Sequence, residues 1–122
     1  MNICIIDDDK IYQFLLKKTI HIIRESISVH SYYNGEEALR DFQKIDSICD
    51  IIFLDLNMPK MDGLEFMEAY QQLSKSITVT PKIYVATSSI SEKDRLEVAS
   101  YGMVKGYLVK PITLEMVQEI LK

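Results

Sequence analysis

Side chains suited to phosphate and metal chemistry follow four short apolar runs of this chain. Three aspartates (residues 7–9) come after the first run and Asp55 after the second, while Thr87 follows the third run and Lys110 the fourth. Carboxylate oxygens are ligands for hard divalent cations, and hydroxyl and ammonium groups donate hydrogen bonds to phosphoryl oxygens. If these residues meet in space, they can hold a divalent cation beside a phosphoryl group.

The elements that must position these residues are the apolar runs themselves, which have the length of fully buried strands. The runs are Ile3–Ile6, Ile51–Leu54, Ile83–Ala86 and Tyr107–Val109, and each is bounded by turn or helix-start signals. Such runs are typical of a parallel sheet that is covered on both faces. The C-terminal ends of parallel strands share one edge, where ligands bind, so the polar residues are expected in one small volume.

Helical patterns alternate with the predicted strands. Apolar residues recur at helical spacing over about residues 10–25 and predict the first helix. Asn34, Ser91 and Thr113 stand where helix N-caps are expected, and Gly102 stands where a helix C-terminus favours a left-handed residue. The apolar residues of the first helix are Ile11, Phe14, Leu15, Ile22 and Ile23.

A further strand is predicted near Ile27–Ser31, where a more polar, alternating pattern suits an edge of the sheet. The chain is therefore expected to be an α/β protein, a flavodoxin-like (βα)5 doubly wound sandwich with a five-stranded parallel sheet in the order 2-1-3-4-5. In this order the first and third strands flank the switch point of the sheet. Asp7, Asp8 and Asp55 then lie at the ligand crevice.

Composition and charge argue against several classes of function. The chain has 122 residues, the size of one domain, and its net charge of −4 without a basic cluster argues against direct binding of nucleic acid. No apolar stretch approaches the roughly 20 residues that span a bilayer, and the N-terminus has no signal-peptide pattern. We therefore expect a cytoplasmic protein without membrane contact, in which Cys4 and Cys49 are free, buried thiols.

Four motifs of the sequence resemble the receiver domains of response regulators in two-component signalling. They are the acidic pair Asp7-Asp8, the stretch Phe53–Gly63 around Asp55, Thr87 at the end of the fourth strand, and Gly106–Pro111. The motifs run the length of the chain, in order and at matching strand ends. Residues 1–122 are accordingly identified as one receiver domain.

The resemblance implies that Asp55 is the phosphoacceptor. Its carboxylate would attack a phosphohistidine on a sensor histidine kinase or a histidine phosphotransfer protein, in a stoichiometric self-phosphorylation rather than as a turnover enzyme. Mg²⁺ would be bound by Asp8, Asp55 and the backbone carbonyl of Asn57, with Asp7 acting mainly through a metal-bound water. An oxygen-lined site suits this ion, which would offset the repulsion among the three carboxylates.

The resemblance also implies roles for the remaining site residues. Thr87 and Lys110 would contact the phosphoryl oxygens, and the Lys110–Pro111 peptide bond is expected to be cis. Movement of Thr87 toward the phosphoryl group would let Tyr107 turn, and this switch would change the surface formed by the fourth helix, the fifth strand and the fifth helix. That surface would bind a downstream protein target, and the chain is expected to be a monomer or a weak dimer.

Two other interpretations stay open at this point. The segment Ile5–Asp9 also resembles the start of haloacid-dehalogenase phosphatases, in which Asp7 would be the nucleophile and Asp9 the general acid. Against it, the residues after Asp9 differ from that family's usual pattern, its later acidic pair is missing, and Asp9 also suits a helix N-terminus. A receiver-like binding module that is never phosphorylated is the third interpretation. A missing acid or lysine would favour it, and neither is missing.

Overall fold

The computed structural model describes residues 1–44, 49–73 and 81–122, in which strands and helices alternate along the chain. The strands are β1 (Asn2–Ile6), β2 (Ser28–Tyr32), β3 (Ile51–Leu54), β4 (Lys82–Thr87) and β5 (Val104–Val109). The helices are α1 (Lys10–Ile23), α2 (Gly35–Lys44), α3 (Gly63–Leu73), α4 (Glu92–Ala99) and α5 (Leu114–Ile120). None of these described helices is long and apolar enough to cross a membrane.

The described strands form one parallel sheet in the order β2-β1-β3-β4-β5, which confirms the predicted flavodoxin-like topology. The more polar β2 lies at an edge, as its alternation predicts. In the pairing of β1 with β3, Ile6 is the partner of Leu54. Asp7 and Asp55 directly follow these partners, so both lie at the same edge of the sheet.

The helices cover both faces of the sheet and divide the core into two layers. Alternate residues of a strand face opposite sides. In β1, Cys4 and Ile6 join the layer under α2, α3 and α4, whereas Ile3 and Ile5 join the layer under α1 and α5. Burial on both sides explains why the strands appear in the sequence as continuous apolar runs.

Side chains cap the helices at three predicted positions. Asn34 accepts a backbone N–H of α2 at 3.0 Å, Ser91 accepts one of α4 at 3.3 Å and Thr113 accepts one of α5 at 3.2 Å. The prediction of a left-handed Gly102 was wrong, because no described glycine has a positive φ. Instead Ser100, the C-cap residue of α4, keeps a right-handed conformation, and its backbone N–H donates to the carbonyls of Glu97 and Val98.

Helix α1 buries a different face from the one that its apolar spacing indicates. Its buried residues are Gln13, Leu16 and Ile20, of which the two apolar ones pack into the layer under α1 and α5. Gln13 is tolerated there because its amide reaches backbone acceptors. The apolar residues that predicted the helix are mostly exposed over more than half of their surface, as are Ile11, Phe14, Leu15 and Ile22.

The expectation of two free thiols was also wrong. Cys4 in β1 and Cys49, just before β3, are joined by a disulfide whose Cα atoms are 5.8 Å apart, and both side chains are buried. This separation is usual for a disulfide. It arises because β1 and β3 are neighbouring strands and both cysteines face the same core layer.

Candidate functional site

Three carboxylates converge at the edge of the sheet where β1 and β3 end. Asp7, Asp8 and Asp55 each offer one carboxylate oxygen, and these oxygens all lie within 4.8 Å of one another. Asp7 and Asp55 are buried and Asp8 is exposed, so the cluster opens to solvent on one side. A small oxygen-only donor set of this kind fits a hard divalent cation that keeps several waters.

A buried amide fixes the loop that carries two of these acids. The side-chain nitrogen of Gln13 lies 2.9 Å from the carbonyl oxygen of Ile5, 3.1 Å from that of Asp7 and 2.9 Å from that of Tyr32. The backbone N–H of Asp7 also donates to the carbonyl of Tyr32 at 2.9 Å. The start of the β1–α1 loop is therefore tied to the end of β2.

The third aspartate of the acidic run acts at the start of α1, as its position predicts. Asp9 is the N-cap residue, and its Oδ1 accepts the backbone N–H groups of Ile11 at 3.0 Å and Tyr12 at 3.1 Å. Its own backbone N–H donates to Oδ1 of Asp7 at 2.9 Å. Asp9 thus orients the neighbouring site through the backbone rather than through its own carboxylate.

Close packing of α3 against β3 fixes the backbone at Asp55. Its N–H donates to the carbonyl of Ile6 at 3.0 Å, and the N–H of Gly63 donates to the carbonyl of Leu56 at 2.9 Å. A Cβ atom on Gly63 would lie 2.4 Å from the main-chain oxygen of Asp55, so this approach requires a glycine. In the intervening turn Lys60 has a φ of 67°, in the left-handed region.

The ammonium group of Lys110 reaches the acids from the end of β5. Its Nζ lies 2.6 Å from Oδ2 of Asp7 and 3.8 Å from Oδ1 of Asp55. The backbone N–H of Lys110 donates to the carbonyl of Thr87 at 2.8 Å, and the Lys110–Pro111 peptide bond is cis. Two neighbouring strands thus hold the lysine over the acidic cluster.

Burial and mutual repulsion raise the pKa of two of the acids. Burial raises the pKa of Asp7, although hydrogen bonds from Lys110 and the N–H of Asp9 oppose the shift. Burial, and after it the charge of Asp7, raises the pKa of Asp55 from 3.8 to about 6, while Lys110 and the backbone N–H of Asn57 lower it. The fully ionised site is therefore unfavourable without a cation.

Thr87 and Tyr107 both contact Ser89 in the loop between β4 and α4. Thr87 is fully buried, and its Oγ1 accepts the backbone N–H of Ser89 at 3.2 Å. The hydroxyl of Tyr107 donates to the carbonyl of Ser89 at 3.0 Å, and the guanidinium of Arg95 lies 5.6 Å from the centre of the Tyr107 ring. Ser89 Oγ in turn donates to Asp94 of α4 at 2.7 Å.

The structure thus brings most of the predicted site residues to one end of the sheet. Asn57 lies exposed in the turn after β3, and the contact that it makes with the cluster is through its backbone N–H. Sequence reasoning gave no role to Gln13 or to Tyr12, whose ring lies beside Lys110. The helical spacing of Gln13 with Leu16 and Ile20 was a usable signal, because it places an amide on the buried face.

Comparison with known proteins identifies the family. The family model of the response regulator receiver domain matches residues 3–122. The chain is 31% identical over 117 residues to the sensor histidine kinase CheAY of Helicobacter pylori and 32% identical over 114 residues to the nitrate/nitrite response regulator protein NarL of Escherichia coli. These matches cover 96% and 93% of this chain but only 14% and 50% of the two relatives.

Solved structures agree with this family. Chemotaxis protein CheY4 of Vibrio cholerae has a TM-score of 0.80 and 28% identity, with 98% of this chain and 94% of that chain covered. The response regulator protein TrrA of Thermotoga maritima, solved in complex with Mg²⁺ and BeF, has a TM-score of 0.76 and 26% identity, with 98% and 95% covered. The haloacid-dehalogenase interpretation is not supported. The chain belongs to the response regulator receiver domain family, whose members act in two-component signalling.

Proposed function

We propose that this chain is a phosphorylation switch in which Asp55 accepts a phosphoryl group from a sensor histidine kinase or a histidine phosphotransfer protein. The observation that carries the proposal is the convergence of Asp7, Asp8 and Asp55 with the ammonium of Lys110, 2.6 Å from one acid and 3.8 Å from another. A nucleophilic carboxylate, acidic neighbours for a cation and a fixed positive charge are the parts that phosphoryl transfer needs.

The transfer would proceed by in-line displacement at phosphorus. An oxygen of Asp55 forms the new O–P bond while the N–P bond of the donor histidine breaks, and the electron pair returns to the imidazole nitrogen, which takes a proton from solvent. Lys110 neutralises charge on the transferred oxygens, and Thr87 donates its hydroxyl hydrogen to one of them. The product is one acyl phosphate per chain, so the domain is a stoichiometric acceptor and not a turnover enzyme.

The acidic cluster fits Mg²⁺ as the required cation. Asp8, Asp55 and the backbone carbonyl of Asn57 would hold it, and Asp7, whose Oδ2 is already engaged by Lys110, would act through a metal-bound water. The raised pKa of Asp55 supports this assignment, because burial and, after it, the charge of Asp7 disfavour the ionised carboxylate, and a bound cation would offset both effects. When bound, the ion would neutralise charge that develops on the transferred phosphoryl group.

The response to phosphorylation would pass from Thr87 through Ser89. A shift of the Thr87 hydroxyl toward the phosphoryl group breaks its contact with Ser89, the residue that also holds Tyr107 and the first turn of α4. The α4-β5-α5 face would then change shape and bind a downstream protein. Exposed apolar side chains suited to a protein partner lie on or beside this face, namely Ile90, Leu96, Val109 and Leu114.

The proposal also covers the extent of the domain, its compartment and its oligomeric state. Residues 1–122 would constitute one receiver domain, acting in the cytoplasm as a monomer or a weak dimer. The net charge of −4 supports partners that are proteins rather than nucleic acid.

Labelling with a small phosphodonor tests the proposal. The wild-type chain with Mg²⁺ and acetyl phosphate should gain one phosphoryl group by intact mass, and borohydride reduction with peptide mapping should place it on Asp55. Chelator or Asp55→Asn should abolish the label. Glu119→Gln, which changes an exposed acid in α5, should label normally.

Three outcomes would overturn the assignment. Wild-type chain that stays unlabelled would support the binding module that is never phosphorylated, and a label mapped to Asp7 would support the phosphatase. Normal labelling of Asp55→Asn would remove Asp55 from its role.

A further inference from the structure

A tyrosine outside the assigned site residues packs against the site lysine. The Nζ atom of Lys110 lies 4.0 Å from the centroid of the Tyr12 ring, inside the range of a cation–π contact. It is the shortest such contact in the part of the chain that the structure describes, the others measuring 5.0 to 5.9 Å. The ammonium group of Lys110 therefore contacts Asp7, Asp55 and the ring of Tyr12.

The first turn of α1 holds the backbone of this tyrosine. The N–H of Tyr12 donates to the N-cap carboxylate of Asp9 at 3.1 Å, and the side chain packs against the core layer under α1 and α5. The backbone of Tyr12 is therefore held by the loop that carries the acids, and its side chain is supported by the core layer.

The hydroxyl of Tyr12 makes no hydrogen bond to the described residues. Its oxygen is buried. The contact that Tyr12 makes with Lys110 is therefore through its aromatic face.

We propose that the ring of Tyr12 is a positioning element that holds the ammonium of Lys110 over the phosphoacceptor pocket. This inference rests on the proposed function of Asp55. A lysine side chain is flexible and samples many rotamers. Lys110 therefore needs a packing surface as well as a counterion to stay near Asp55. The aromatic face attracts the ammonium without accepting a hydrogen bond from it, which leaves its donors available to phosphoryl oxygens.

The ring also suits the change of partner that phosphorylation requires. In this structure Nζ of Lys110 forms an ion pair with Oδ2 of Asp7 and lies 3.8 Å from Oδ1 of Asp55. When the phosphoryl group arrives, the ammonium would turn toward it, and Tyr12 stays in contact as long as the ammonium remains over the ring face, within about 6 Å of the centroid. A branched aliphatic side chain of similar volume would fill the space but supply no such attraction.

Initial rates of labelling by acetyl phosphate at saturating Mg²⁺ test the proposal. Tyr12→Leu should slow labelling by about fivefold or more, as expected for loss of one partly buried cation–π contact. Tyr12→Phe, which keeps the ring, should retain more than half of the wild-type rate. Phe14→Leu is the matched control, because it removes an aromatic that lies under Lys18 on the exposed side of the same helix, and it should label like the wild type.

A double-variant cycle separates positioning from general loss of structure. In a Lys110→Met background, Tyr12→Leu should cause no further slowing, since the ring has no ammonium to hold. Equal fold-losses with and without Lys110 would overturn the proposal, as would an unaltered rate in Tyr12→Leu. Slowing by Tyr12→Phe as large as that by Tyr12→Leu would assign the effect to the hydroxyl instead. A wild-type chain that fails to label would refute the proposed function itself, which is a distinct result.

Discussion

Replacing Asp55 by asparagine should stabilise the metal-free protein at neutral pH. The fold raises the pKa of this carboxyl from 3.8 to about 6, so at pH 7 the folded state carries an ionised group that the unfolded chain accommodates better. Each pKa unit corresponds to about 1.4 kcal/mol, which makes the ionised Asp55 unfavourable by up to about 3 kcal/mol. Asparagine has nearly the same shape and no charge, and Lys110 keeps its partner Asp7 at 2.6 Å.

The contribution of Asp55 to the free energy of unfolding should depend on pH. Below pH 3.8 the carboxyl of Asp55 is protonated in both states, so its ionisation does not affect folding. Between that pH and about 6 the unfolded chain loses the proton while the fold retains it, and the stability contributed by this group falls as the pH rises. The gain in the free energy of unfolding from Asp55→Asn should therefore be largest above pH 6 and should decrease toward pH 4.

Urea unfolding in chelator, followed by circular dichroism from pH 4.5 to 7.5, measures the effect. The variant should show the higher free energy of unfolding at pH 7, and Glu119→Gln, an exposed acid, should show no such gain. Adding Mg²⁺ should stabilise the wild type by about 2.7 kcal/mol at a hundred times its dissociation constant, and the variant by less. Equal or lower stability of Asp55→Asn in chelator, or a gain independent of pH, would refute the electrostatic account.

Three other features of the fold allow direct tests. Gln13→Leu should lower the free energy of unfolding by about 1 to 3 kcal/mol, because it takes a donor from three buried carbonyls; an unchanged urea midpoint would contradict this. Gly63→Ala should lower the thermal midpoint and slow labelling of Asp55, because the new Cβ would lie 2.4 Å from the main-chain oxygen of Asp55. A wild-type midpoint together with a wild-type labelling rate would show that α3 can shift to accommodate the Cβ. Reduction of the Cys4–Cys49 disulfide, which spans 45 residues, should cost about 4 kcal/mol of stability, and Cys49→Ser should match the reduced form in urea.

The sheet and its polar edge were predictable because they depend on local patterns that many residues share. A buried parallel strand must be apolar on both faces, so Ile51–Leu54 appears in the sequence with the bounds that it has in the structure. Once the strand order is fixed, the residue after each strand has a known place. Asp7 and Asp55 could therefore be assigned to one site before any distance was known.

The features that sequence reasoning missed depend on pairwise geometry. Apolar spacing along α1 indicates a helix, but it does not say which of two apolar-rich faces packs against the core. Gln13 is buried because its amide can donate to carbonyls of β1 and β2. The pairing of Cys4 with Cys49 likewise depends on the separation of two strands. Tyr12 and Lys110 are almost the length of the chain apart, and no periodicity reports their contact.

If Asp55 is phosphorylated as proposed, the charges of the described site account for a role of both a cation and a lysine. Three ionised carboxylates and one ammonium sum to −2, which a divalent ion would bring to zero. A phosphoryl group on Asp55 replaces one negative charge by nearly two, so the loaded pocket again has an excess of negative charge. The ammonium of Lys110, which lies between Asp7 and the ring of Tyr12, would move toward that excess of negative charge. Under the proposed function, the phosphorylated product would be stabilised by a lysine that is close to both acids but not bound tightly to both. The distances of 2.6 Å to Asp7 and 3.8 Å to Asp55 fit this requirement.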